Sequence, residues 1–117
     1  MTPLYNSAGR VVGFANNNTF TDLRGKAIAY VQNGSVYNYR GRHVGWWRGD
    51  HMRGPDGGVV AWFQGASGLG VIPPIPSIPP IPPIPAIPPI PPIPTIPPIP
   101  PLDKMGWSSS TFGSWVP

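Results

Sequence analysis

Apolar and polar positions alternate in short runs over residues 1–66, and turn-forming residues interrupt them about every eight positions. One phrase recurs four times: GRVVGF, GKAIAY, GRHVGW and GGVVAW, opening at Gly9, Gly25, Gly41 and Gly57 on a strict 16-residue period. A fixed internal period marks a repeat architecture. Midway between these glycines lies a second set of breakers: Asn17, Asn33-Gly34, Gly49-Asp50 and Gly65. That spacing leaves room only for short strands, predicted at 3–6, 10–15, 19–22, 26–31, 35–38, 42–47, 51–53 and 58–63. Their Val, Ile, Thr, Tyr, Phe and Trp content suits strands, Asn33-Gly34 is a type I′ hairpin signal, and no helical period is present.

The segment after Phe63 is glycine-rich, so the fourth unit needs a strand from elsewhere. Leu4 shares the phase of Phe20, Val36 and Met52, so the N-terminal strand is expected to pair with the last strand around Val59–Phe63. This pairing closes a ring and removes sheet edges. Alternation puts Val12/Phe14, Ile28/Tyr30, Val44/Trp46 and Val60/Trp62 on one face, with Leu4, Phe20, Val36 and Met52 expected to join them. Phe14, Tyr30, Trp46 and Trp62 are therefore expected to be a buried aromatic ring. Gly13, Ala29, Gly45 and Ala61 make a ring of small residues, read first as a sign of tight strand curvature, with close approach of another backbone as the alternative.

A second period follows a glycine-rich linker at 67–71. Over 72–102 every third residue is aliphatic: Ile72, Ile75, Ile78, Ile81, Ile84, Ile87, Ile90, Ile93, Ile96, Ile99 and Leu102. Each isoleucine precedes a proline, which excludes helix and imposes polyproline II, with three residues per turn. The aliphatic residues then share one edge. Only Ser77, Ala86 and Thr95 interrupt the remaining prolines, nine residues apart, and they are the expected bends. An edge of ten isoleucines and a leucine is costly to leave wet. It is expected to be covered by the barrel, by a second copy of the chain, by a protein partner or by lipid. Residues 103–117 form a short aromatic tail, in which Trp107, Phe112 and Trp115 are expected to cap the arrangement.

The repeated phrase, apolar-Tyr-Asn-x-x-Gly-base-x-Val-small-aromatic, resembles the bacterial four-fold beta-flower domain over about residues 3–64; the proline-rich tail and the Trp107-Ser108 terminus resemble it too. The resemblance implies an all-β fold, a small, shallow, pseudo-four-fold closed barrel of short antiparallel hairpins spanning 1–66. It implies little about activity. The stretch Met52-Arg53-Gly54-Pro55-Asp56 departs from the pattern, which puts the second strand of that copy in question.

Charge and candidate chemistry narrow the function classes. Lys+Arg number 8 and Asp+Glu 4, with no glutamate, and charged residues are 10% of the chain, too sparse to grip nucleic acid by charge alone. Cysteine is absent, which excludes disulfides and thiolate metal sites. The beginning of the chain has no apolar h-region, so a cytoplasmic location is expected by default, and no run of non-proline apolar residues is long enough for a membrane helix. His43 and His51 are the only imidazoles, without the partners that a metal centre or an acid–base pair needs. No enzyme, metal or cofactor is expected. Arg10, Lys26 and Arg42 share one repeat position, and Arg24 and Arg40 another. They are either a basic ring for an anionic partner such as phospholipid headgroups or solvated turn residues, the more usual role of exposed charge. Tyr5, Tyr37, Tyr39 and Trp47 either stack on proline rings or pack as half-buried sheet aromatics. The residues together indicate a non-enzymatic structural or protein-interaction module whose barrel packs or presents the isoleucine-proline rod. The alternative is a membrane-surface or lipid-binding protein using that rod and the basic ring.

Overall fold

Every eight residues the chain reverses, and each reversal is built from a residue type suited to it. The computed structural model describes residues 1–85, 87–91, 93 and 95–115, the side chains of 114 and 115 excepted. Eight strands follow in order: β1 (Thr2–Tyr5), β2 (Val11–Asn16), β3 (Thr19–Thr21), β4 (Ala27–Gln32), β5 (Ser35–Asn38), β6 (His43–Trp47), β7 (His51–Arg53) and β8 (Val59–Trp62). Each pairs antiparallel with the next, and Tyr5 pairs with Trp62 to join β1 to β8, so the sheet is a closed barrel. The second strand of the copy that opens at Gly41 exists as β7, although residues 52–56 depart from the repeat phrase.

At one end of the barrel the connections are wide loops built by side-chain capping. Asn6 Oδ1 accepts the amides of Ala8 and Arg10, Asp22 Oδ1 those of Arg24 and Lys26, and Asn38 Oδ1 those of Arg40 and Arg42. These are Asx turns, and they explain why Asn or Asp stands three residues before each of the first three repeat glycines. The fourth loop has Gly54 there and uses Asp56 instead, which accepts the amide of Gly58. At the other end are tight turns, and Asn33 and Gly34 both take positive φ, 52° and 79°, as a type I′ turn requires.

The register corrects the expected assignment of faces. Leu4 pairs with Gly13, Phe20 with Ala29, Val36 with Gly45 and Met52 with Ala61, so the small residues share a face with the large ones. Phe14, Tyr30, Trp46 and Trp62 pair instead with Thr21, Tyr37, Arg53 and His51, on the opposite face. A bulge in every unit, between Leu4/Tyr5, Phe20/Thr21, Val36/Tyr37 and Met52/Arg53, breaks the alternation. Ile28, Val44 and Val60 consequently join Leu4, Phe20, Val36 and Met52 in the interior core. The second face is also buried, Phe14 at 0 % and Tyr30 at 9 % exposure, and at β1 and β8 chain from outside the barrel lies over it. Tyr5, Val59 and Trp62, for example, pack under Leu69, with Trp107 and Val71 alongside.

The interior is completed by the C-terminal tail. Gly106 O accepts from Val59 N and Ser108 N donates to Val59 O, which lays the tail parallel to β8. A 3₁₀ turn over Phe112–Trp115 then brings Phe112 into the core. A Cβ on Gly13 would meet the Thr21 carbonyl oxygen first and would stand 2.6 Å from the Phe112 ring, so the small residue at this position makes room for a neighbouring backbone as well as for a side chain. Trp107 is half-buried against the outer cluster, and the side chain of Trp115 lies outside the described residues.

Candidate functional site

The loops that carry the repeat glycines are where the isoleucine-proline segment meets the barrel. Ser77 N donates to Gly9 O at 2.8 Å, Thr95 N to Gly41 O at 3.1 Å, and Lys104 N to Gly57 O at 2.9 Å. A Cβ on Gly25 would meet the Ile84 carbonyl at 2.7 Å, just as one on Gly9 would meet that of Ile75 at 2.6 Å. Contacts therefore advance nine residues along the segment for every sixteen in the barrel. Only a non-proline residue can donate an N–H, which accounts for Ser77 and Thr95 as interruptions of the proline pattern. Ala86 lies outside the described residues. Gly9 and Gly57 take φ of 77° and 82° and lie directly against the segment's backbone, two independent reasons for glycine.

The segment's isoleucines and Leu102 face away from the barrel at 92–95 % exposure. The expectation that the barrel covers this edge is thus corrected. Backbone hydrogen bonds to the loop carbonyls and the flanking prolines carry the contact, among them the half-buried Pro74, Pro76, Pro83 and Pro101, which leaves the third edge turned to the outside. Nor does the segment double back at Ser77 or Thr95: it meets four successive loops of a closed ring.

A buried arginine clasps the two ends of the segment. Arg53 is 2 % exposed and donates through Nη1 to the carbonyls of Gly57 and Lys104, and through Nη2 to those of Gly68 and Leu69. It thereby ties the chain entering the segment to the chain leaving it, and Gly70 lies against Met105 at the same junction. Arg53 Nε donates to His51 Nε2 at 3.2 Å, so the His51 proton sits on Nδ1, which donates to Asp50 at 2.6 Å. The other Asp50 oxygen accepts the amide of Ser67. Burial would raise the Asp50 pKa, but the His51 and Ser67 hydrogen bonds outweigh it and hold the carboxyl below its usual range. Arg48 and Asp103 form an ion pair at 2.9 Å across the same closure.

Asp56 is the second clasp. It accepts from Gly58 N, Ser108 Oγ, Ser109 N and Ser109 Oγ, and so fixes the tail where it turns toward the barrel mouth. Burial acts to raise its pKa, and these four donors win, leaving it far below the ordinary carboxylate value. Neither Arg53 nor Asp56 was singled out by motif. Their only signal was the departure of residues 52–56 from the repeat phrase.

The remaining candidates separate by face. Tyr5 packs against Trp62, and Tyr37 against Tyr30 and the edge of His43, on the outer face. Tyr39 is tilted against Tyr30 and hydrogen-bonds Thr19, and burial raises its pKa. Trp47, by contrast, pairs with Met52 and so points inward, its ring against Phe20 and Phe63, which removes it from any proline-stacking set. His43 is wedged edge-on to Tyr37 and Trp46, its pKa lowered by burial and its Nε2 without a hydrogen-bond partner among the described residues, a packing role. Arg10, Lys26, Arg42, Arg24 and Arg40 are exposed around the wide-loop end and have no ion-pair partner among the described residues. No group of three metal-ligating side chains occurs among the described residues.

No curated protein and no solved structure shows detectable similarity to the chain. A family model described as 4-fold beta flower protein matches residues 2–116, barrel, isoleucine-proline segment and aromatic tail together. With four hairpin units closed in a ring, and nearly the whole chain matched, the protein belongs to the 4-fold beta flower family.

Proposed function

We propose that this small structural domain is a non-enzymatic display module: the barrel is a hub, and the isoleucine-proline segment is a polyproline II hoop held round it with its aliphatic edge outward for an apolar partner. The observation that carries this reading is the matched spacing of the anchors, Ser77 on Gly9, Thr95 on Gly41 and Lys104 on Gly57. Dimensions agree with it. Nine residues of polyproline II advance about 28 Å, so the three intervals from the Gly9 loop to the Gly57 loop take up three quarters of a circle roughly 36 Å across. The protein measures 36 × 36 × 20 Å. A chain rich in proline loses little further conformational freedom when ordered, so a few backbone hydrogen bonds suffice to seat it.

Hydrogen exchange read by NMR tests the hoop. Ser77 and Thr95 amides should be protected like barrel amides, whereas that of Ile78, between anchors, should exchange freely. Exchange of Ser77 and Thr95 at the rate of Ile78 would mean that the segment is a free tail and the display reading is wrong.

A further inference from the structure

Eleven aliphatic side chains at 92–95 % exposure form an apolar rim, whereas the largest apolar patch on a typical soluble monomer is roughly 300–600 Å² and local to one side. The rim follows the barrel loop by loop from Gly9 to Gly57. The same loops carry five exposed cations, Arg10, Arg24, Lys26, Arg40 and Arg42. The carboxylates near that end, Asp22, Asp56 and Asp103, are already engaged, the first two by backbone amides and Asp103 by Arg48. One end of the disc is therefore a basic collar bordered by an apolar rim.

We infer that this end of the protein docks on the surface of an anionic lipid bilayer, the isoleucine edge entering the boundary of headgroups and acyl chains and the collar facing lipid phosphates. The inference rests on the display reading above. Charge complementarity selects the occupant: basic residues beside aliphatic ones are what an anionic interface attracts. The shape agrees, because a fluid apolar phase can meet a rim on all sides at once, which a single globular partner cannot. Depth is limited by the segment's own backbone. Its carbonyls, and the N–H groups of the isoleucines, need water or headgroup partners, which excludes the hydrocarbon centre. Among the described residues no helix is long and apolar enough to cross a membrane.

The test is flotation of the full chain with vesicles of phosphatidylcholine alone and of phosphatidylcholine mixed with phosphatidylglycerol. The protein should float with the anionic vesicles and stay behind with the neutral ones, and added salt should weaken binding. Changing Ile81, Ile84 and Ile87 together to Ser keeps the proline pattern, touches no buried residue and should cut partitioning roughly tenfold or more. Arg10→Gln with Lys26→Gln and Arg42→Gln should cut it by roughly fivefold for each charge removed. Absence of flotation with either vesicle overturns the inference, as does flotation that the isoleucine changes leave intact. Oligomers that sediment in the absence of lipid and dissolve on the same Ile→Ser change would overturn it in favour of a second copy of the chain. Should Ser77 and Thr95 remain protected from exchange while flotation fails, the lipid inference falls and the hoop stands; if protection is missing, the hoop itself has failed.

Discussion

Ser77 donates its backbone N–H to the carbonyl oxygen of Gly9 at 2.8 Å, and that carbonyl belongs to a residue with φ of 77° that has no room for a side chain. Loop conformation and segment docking are therefore coupled at one residue. Gly9→Ala should suffer twice, from the left-handed backbone and from a Cβ 2.6 Å from the Ile75 carbonyl. Gly34 has φ of 79° and nothing within 4 Å of its virtual Cβ, so Gly34→Ala reports the backbone cost alone, about 1–2 kcal/mol. Urea unfolding should show Gly9→Ala to be less stable than Gly34→Ala by roughly a further 1–3 kcal/mol. Equal losses would mean that the segment gives way without cost.

Arg53→Met should be among the most damaging single changes outside the aliphatic core. Four carbonyls, those of Gly57, Lys104, Gly68 and Leu69, share one guanidinium. Two of these carbonyls, those of Gly57 and Leu69, belong to buried residues, where an unpaired acceptor costs about 1–3 kcal/mol, and Gly57 and Lys104 belong to the anchor pair of the fourth loop. A loss of at least about 3 kcal/mol in thermal or urea unfolding is expected. Arg53→Lys should recover only part of it, because an ammonium cannot reproduce the planar fork. Full recovery by lysine would show that the positive charge, not the fork, is what matters.

Acid should release the tail before the barrel unfolds. The Asp56 pKa in the folded protein lies below its ordinary value of 3.8 because donors from Ser108, Ser109 and Gly58 favour the ionised form. A depressed folded pKa gives stability that is complete above the unfolded value and is lost as pH falls through the folded one. Exchange of the Ser109 amide should therefore accelerate below about pH 4, and Asp56→Asn should remove most of that dependence. A Ser109 exchange profile whose acid limb is unchanged in Asp56→Asn would assign the effect to another carboxylate, with Asp50 next in line, since its pKa is lowered as well.

Much of the fold was legible because turn chemistry repeats. Strand limits from glycine and asparagine spacing agree with the observed strands to within about one residue, and the phase of Leu4 anticipated the Tyr5–Trp62 pairing that closes the barrel. The faces were not legible. Val12, Ile28, Val44 and Val60 are the extra residues of bulges that break the two-residue period, and no residue in the repeat announces them. Cover by the barrel was one expectation for the isoleucine edge, beside a second copy, a partner or lipid, and it failed because burial was weighed and backbone donors were not. Yet the nine-residue series Ser77, Ala86, Thr95 continues to Lys104, itself an anchor. Arg53 and Asp56 stood out only as failures of a pattern, which is how a pseudo-symmetric ring marks the one unit where its encircling segment begins and ends.

Phe112 is the residue by which the tail fills the barrel. It is 3 % exposed, belongs to the same core as Leu4, Phe20, Val36 and Met52, and stands against the space that a side chain at Gly13 would take. The strands alone enclose small residues at Ala29 and Ala61 and cannot close on one another without it, since a barrel interior has to be packed. Phe112→Ala should cost about 3–5 kcal/mol in urea unfolding, the usual range for a large buried aromatic. Phe112→Leu should restore most of this, because volume rather than ring chemistry is at stake. Gly13→Val should be at least as harmful as Phe112→Ala, because a side chain there meets the Thr21 carbonyl as well as the Phe112 ring, and the double change should fall short of the sum only by the part of the loss that the ring causes. A Phe112→Ala variant as stable as the parent would show that the ring does not fill the interior, and the tail would then have to be regarded as a surface strand that only brushes the barrel mouth.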